Sequence, residues 1–167
     1  MASFKISNGG SDQEPIIDAI LRLYLGIDTN NLDLFTSGFT EDAEIDLSNV
    51  SMGGQPMTKL QGLREDIVPK VLNFLGPFGT SHSVTNFRVD KQSPDLAVVT
   101  YIIVAQHWRP DDASKPVLPI HYTMSNRYTS TVVRVDGDLW KVKKTVAESL
   151  WALGDAAVLG RLDLLAN

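Results

Sequence analysis

Four strand-length runs follow one another through the second half of the chain, at residues 81–90, 96–107, 121–135 and 139 to about 147, and they dictate a sheet. The breaks between them are equally legible. Ser93-Pro94-Asp95 makes a turn, residues 110–119 a longer loop bounded by prolines, and Asp136-Gly137 a tight hairpin. Strands joined in this way run antiparallel, and the apolar face of such a sheet has to be covered.

The first half of the chain supplies the cover. Ser11 stands three positions before Glu14, the spacing of a capping box, and Pro15 suits a first helical turn. Ile16, Ile20, Leu23, Tyr24 and Ile27 then recur at helical spacing as one apolar stripe, with Asp28 at its end. A short second helix carries Leu32, Leu34, Phe35 and Phe39. Ala43, Ile45 and Leu47 alternate with Glu44 and Asp46 as a strand, and Gly53-Gly54 marks a loop. A third helix, capped from Thr58 and Gln61, runs through Leu63, Ile67, Val71, Leu72 and Leu75, and Pro69 bends it into a lid. The tail from Trp151 to Leu165 reads as a short amphipathic helix over an open end. Helices followed by a sheet of sequential strands make an α+β domain, not a βαβ alternation.

With 167 residues and 43% apolar content the chain is expected to be one domain, residues 1–167, with residues 1–11 as a flexible lead. A net charge of -5 opposes binding to phosphate backbones, so nucleic acid is not an expected partner. The absence of cysteine removes thiol nucleophiles and cysteine-held zinc. No window has the apolar length of a membrane span and the N-terminus lacks a secretory apolar core, so a cytoplasmic protein without membrane association is expected. No phosphate-binding glycine loop or nucleophile elbow occurs, and no nucleotide cofactor is expected. Lys141, Lys143 and Lys144 alternate as a solvated strand face.

Ala97, Val99, Tyr101, Ile103, Ala105 and His107 share one strand face by two-residue alternation, which puts His107 at the end of an apolar surface. An imidazole there can take a proton near neutral pH, and a carboxylate on its other nitrogen fixes the tautomer; Asp28 is the natural candidate. His82 opens the preceding strand and completes a pocket with one base and one acid. His121 is expected at the surface or pocket rim. The three histidines are far apart and show no HxH or HExxH grouping, so no metal site is expected. Arg127 and Tyr128 face opposite sides of a strand, and an inward Arg127 would suit epoxide opening. Glu148 is expected in a salt bridge. Met52, Met57, Phe74, Phe78, Trp108 and Trp151 are candidates to line an apolar cavity, or plain core.

The order helix, short helix, strand, bent helix and four long strands, with YLGIDTNNLDLFTSGFTEDAEIDL near the start, resembles the SnoaL-like branch of the NTF2-like superfamily over nearly the whole chain. TSHSVTN around His82, VAQHWRP around His107 and VDGDLWKV in the last hairpin are similar to the scytalone dehydratase pattern. The resemblance implies a cone-shaped α+β barrel around a central pocket, a homodimer, and cofactor-free acid–base chemistry on a hydrophobic polyketide- or terpenoid-like molecule: dehydration, isomerisation or cyclisation. A non-catalytic binding module is the alternative, an epoxide hydrolase a further one. The resemblance assigns Asp28, His82 and His107 as catalytic, with Asp28 holding His107. Tyr24, Tyr101, Tyr122, Asn126, Tyr128 and Trp151 are assigned to substrate binding. Tyrosines that orient water and substrate in that family fall on Ile27 and Leu47 in this chain, and an asparagine falls on Tyr128.

Overall fold

The computed structural model describes residues 13–109, 121–137 and 139–160. Helix α1 (Glu14–Asp28) buries Ile16, Ile20, Leu23 and Ile27, the stripe that its periodicity defines. Gln13 precedes it without a side-chain cap; Ser11 of the expected capping box lies outside the described residues. Helix α2 (Leu32–Ser37) is capped by Asn31, whose side chain accepts from the Leu34 amide at 3.0 Å. The two helices meet closely at Gly26, where an added Cβ would lie 2.6 Å from the Phe35 backbone nitrogen. Gly26→Ala is therefore expected to lower stability by about 1–3 kcal/mol through overpacking against rigid backbone, read as an earlier midpoint in urea unfolding.

Strand β1 (Phe39–Asn49) leads through the short β2 (Ser51–Met52), β3 (Gln55–Pro56) and β4 (Lys59–Gln61) to a ten-residue π-helical segment, Leu63–Leu72, and the single turn α3 (Asn73–Leu75). The expected helix start at Thr58 and Gln61 is not observed. Residues 59–61 pair antiparallel with β1 instead, and Gly62, at φ 86°, turns the chain before the helical segment. The Ile67 amide reaches back five residues to the Gly62 carbonyl at 3.1 Å. Pro69 has no amide proton to donate, which disfavours a regular α-helical ladder through this segment.

The long strands follow: β5 (Gly79–Ser93), β6 (Leu96–Trp108), β7 (His121–Asp136) and β8 (Leu139–Gly154). They form a six-stranded sheet in the order β4-β1-β8-β7-β6-β5, antiparallel except that β1 runs parallel to β8. The sequence pattern predicts a wholly antiparallel sheet, and the parallel pair departs from it. Hairpin turns determine only sequential neighbours, whereas β1 joins its partner across nearly a hundred residues of chain. Register shifts at 85/88, 125/126 and 131/132 kink the strands, and the curved sheet wraps α1. Trp151 belongs to β8 and is followed by a 3-10 turn, Ala156–Leu159, so the tail helix expected from Trp151 is not formed over 151–160; the remainder, like the 110–119 loop and the N-terminal lead, lies outside the described residues.

Along β6, Ala97, Val99, Tyr101, Ile103, Ala105 and His107 are all buried, as alternation requires. Lys143 and Lys144 face outward toward Asp42 and Glu44. No helix among the described residues is long and apolar enough to cross a membrane.

Candidate active site

Between α1, the sheet and the π-helical segment lies a mostly apolar cavity of about 110 Å³, several times what one water needs. Leu23, Ile27, Phe39, Leu47, Met52 and Met57 form much of its wall. Both histidines open onto it, and so do Tyr24, Asn126 and Tyr128.

Sheet register brings the histidines together. His82 pairs with Ala105, and Thr80 with His107, so His82 and His107 are diagonal neighbours on one face with ring centroids 5.8 Å apart. The last turn of α1 packs against β5, so the Asp28 carboxylate meets His82 and not His107. Asp28 Oδ1 lies 2.6 Å from His82 Nδ1 and accepts from the Thr80 hydroxyl at 2.7 Å; Oδ2 accepts from the His82 backbone amide at 2.9 Å. The expected Asp28–His107 pair is thus corrected to Asp28–His82. His107 sits one strand further into the sheet, 1% exposed, with Nδ1 3.3 Å from the Tyr122 carbonyl oxygen.

These contacts determine tautomers. A carbonyl only accepts, so His107 Nδ1 carries a proton and Nε2 is left as an acceptor. A carboxylate likewise takes the Nδ1 proton of His82, leaving its Nε2 lone pair for a substrate. Burial, and then repulsion from His82 whenever that ring is protonated, lower the His107 pKa from the ordinary 6.5 to about 4, against the opposing Tyr122 carbonyl and Asp28. Burial alone would raise the Asp28 carboxyl, but its hydrogen bonds to His82 and Thr80, and its attraction to the His82 ring when that is protonated, hold it below the usual carboxylate value. His82 is therefore the imidazole with a carboxylate behind it, and His107 a neutral partner.

A stability effect follows. As pH falls from 6.5, His107 in the unfolded chain takes up a proton that the native protein refuses until about pH 4. This contribution is present above pH 6.5 and is lost on acidification, by about 3 kcal/mol across the window. Asp28, also depressed, acts in the same direction below the ordinary carboxylate range. Urea unfolding at pH 7 and pH 4.5 should show the loss, and His107→Leu should flatten most of it.

The other assigned residues divide. Tyr24 stands beside His82 with ring centroids 5.4 Å apart, and Tyr128 stacks on Tyr101 at 5.4 Å. Tyr101 is behind the cavity wall, not on it: its hydroxyl is 3.4 Å from that of Tyr24 and 2.9 Å from Ser130 Oγ, which in turn is 2.8 Å from Thr145 Oγ1. Burial pushes the Tyr101 phenol up to about 12 and those of Tyr24 and Tyr128 above their ordinary value, so all three stay neutral. Tyr122 turns its hydroxyl to the Gly53 amide at 3.2 Å, and Trp151, 49% exposed, lies with it along a shallow outer groove. Neither of these two side chains lines the histidine cavity. Arg127 points outward to Glu148 at 3.5 Å, both half-exposed, which leaves the cavity without the inward arginine that epoxide opening would use. His121 is exposed. Phe74, Phe78 and Trp108 are absent from the cavity wall, unlike Met52 and Met57.

The family model for SnoaL-like domains matches residues 11–146. The chain belongs to the SnoaL-like family. Terrestric acid biosynthesis cluster protein E of Penicillium crustosum is 30% identical to this SnoaL-like chain over 152 residues, covering 90% of it and 91% of that protein. Among solved structures, a scytalone dehydratase candidate from Novosphingobium aromaticivorans superposes with a TM-score of 0.67 at 24% identity, covering 85% of this chain and 86% of the other. A type 3 hexachlorocyclohexane dehydrochlorinase from Novosphingobium barchaimii does so with 0.66 at 17% identity, over 86% and 90%. These likenesses show the fold.

Within this SnoaL-like cavity, Ile27 and Leu47 stand in the wall as purely apolar surface. Two polar residues at the site are not among those the sequence pattern singles out. Thr80 fixes the Asp28 carboxylate, and its position two residues before His82 on the same strand face is the signal available for it. Lys70, on the π-helical segment, lines the cavity while paired to Asp66 at 3.0 Å; nothing in its helical spacing sets it apart from an ordinary surface lysine.

Proposed function

We propose that this protein is a cofactor-independent acid–base enzyme of secondary metabolism, a dehydratase, isomerase or cyclase acting on a hydrophobic small molecule. The observation that carries the reading is the Asp28–His82 dyad opening onto an apolar cavity beside a second, neutral histidine. The biosynthesis-cluster relative, similar over nine-tenths of the chain, supports the metabolic setting. The dehydrochlorinase and scytalone dehydratase candidate among the structural neighbours carry names of elimination chemistry, which suits a base in an apolar pocket.

In this reading His82 Nε2 takes a proton from a carbon made acidic by a neighbouring carbonyl. Asp28 stabilises the imidazolium so formed without itself being protonated. The electron pair of the broken C–H bond forms a C=C bond. In a dehydration the C–O bond breaks and the leaving hydroxyl receives the proton from His82, giving water; in an isomerisation the same proton returns to a different carbon. His107, neutral with Nε2 as acceptor, orients a substrate hydroxyl or a water. The apolar wall keeps bulk water from the dyad and strengthens its electrostatics.

The test is a cofactor-free incubation of the purified protein in D₂O with hydrophobic polyketide and terpenoid intermediates, followed by mass spectrometry. The expected result is a product lighter by one water if the reaction is a dehydration, or, if it is an isomerisation, an isomer of equal mass that gains deuterium at one carbon wherever His82 exchanges its proton with solvent before returning it. Bound ligand recovered unchanged, without deuterium, would replace this reading with that of a binding module.

A further inference from the structure

Asn126 is 4% exposed and faces the cavity, yet its Oδ1 has no hydrogen-bond partner. Its Nδ2 donates to the Tyr128 hydroxyl oxygen at 3.2 Å. A buried, unpaired amide oxygen costs free energy in any folded protein, and it persists where a ligand repays that cost. The side chain is also held in place: Asn126 pairs with Ile103 on β6, and its other neighbour, β8, carries an irregularity at this point, a device common beside sites.

An amide oxygen is only an acceptor, so whatever meets it brings an O–H or N–H. Tyr128 narrows the choice. Its oxygen accepts from Asn126, and its own proton has no partner among the described residues, so a free acceptor and a free donor sit side by side. A hydroxyl uses both, giving one hydrogen bond and taking another; a ketone uses only the donor. Asn126 is on β7 one same-face row along the sheet from Met124, the residue that pairs with Ala105, the register partner of His82. The subsite is thus offset along the sheet from the dyad, away from the reacting carbon.

We infer that Asn126 and Tyr128 form a hydroxyl-recognition subsite, and that the substrate is a hydrophobic molecule carrying an alcohol, phenol or enol remote from the carbon deprotonated at His82. The inference rests on the cavity being the substrate site proposed above, and it concerns binding, so it can be tested without turnover.

The test compares 2-naphthol with 2-methylnaphthalene, which match in shape and differ in the hydroxyl, by fluorescence titration of wild type, Asn126→Leu and Asn126→Ala. The ratio of the two dissociation constants is expected to shift about tenfold against naphthol on either substitution, with methylnaphthalene binding to Asn126→Leu unchanged or tighter. Thermal melts check that the variants fold. In wild type, the side-chain amide resonances of Asn126 should move with naphthol and not with methylnaphthalene, a readout that needs no variant. An unchanged ratio in both variants overturns the inference, as does a ratio lost in His107→Ala and kept in Asn126→Leu. Turnover with a flat ratio would remove the subsite and leave the acid–base reading; a shifted ratio without turnover in any screen would do the reverse.

Discussion

Replacing His82 by alanine is expected to reduce turnover about a hundredfold to ten-thousandfold, the range that one positioned base contributes, while the protein melts within a few degrees of wild type. The reason is geometric. Of the two imidazoles in the cavity, His82 alone has a carboxylate on its Nδ1, at 2.6 Å, and that carboxylate is held by two further donors, the Thr80 hydroxyl and the His82 amide. Those donors also keep Asp28 ionised, which preserves the charge that the imidazolium needs. His107 is differently placed. With its pKa at about 4 and only a carbonyl behind it, it is a poor proton acceptor at neutral pH. His107→Ala should therefore raise KM, or slow turnover less than His82→Ala. Measuring kcat and KM for both variants decides the matter, and a larger kcat loss from His107→Ala would exchange the roles of the two histidines.

The second large effect is expected from Asp28→Asn, a change of one atom that leaves shape and packing intact. The backbone amide of His82 needs an acceptor at the Oδ2 position, so the carboxamide oxygen goes there. The amide nitrogen then takes the Oδ1 position against His82 Nδ1 and donates to it. The imidazole must respond by carrying its proton on Nε2, the nitrogen that faces the cavity, and it can no longer take one from the substrate. By the same tautomer logic that operates in serine proteases, the loss should approach about ten-thousandfold in kcat. Nitrogen-15 NMR of the His82 ring reads the tautomer directly. Wild type should show the Nδ1-protonated neutral form and Asp28→Asn the Nε2-protonated form; an unchanged tautomer with full activity would show that the dyad is structural only.

Much of this fold and site is legible in the residues alone. The stripe on α1, the alternation along β6 and the hairpin at Asp136-Gly137 are local patterns, with periods set by the 3.6-residue helix and the two-residue strand. They suffice to place Tyr24 on the covered face of a helix, and to put His107 at the end of a buried strand face. They also separate Tyr128 from Arg127, since adjacent strand residues face opposite sides. The SnoaL-like resemblance adds the inward direction of His82.

What local patterns do not determine are pairings between distant segments. Which histidine Asp28 meets depends on which strand the end of α1 lands against, a matter of core packing; it lands on β5, so the dyad is Asp28–His82. The neutrality of His107 follows from its depth and from a carbonyl on β7. The resemblance assigns Tyr122 and Trp151 to substrate binding, but both lie along another groove, where the Tyr122 hydroxyl meets the Gly53 amide. The unpaired oxygen of Asn126 is visible only once every neighbour is in place. Sequence by itself determined the elements and the faces they present, because those are set within a few residues of chain. Tertiary structure alone decided which polar atoms find partners, because those hydrogen bonds join distant residues that only the assembled, curved sheet and the helix packed on it bring within reach.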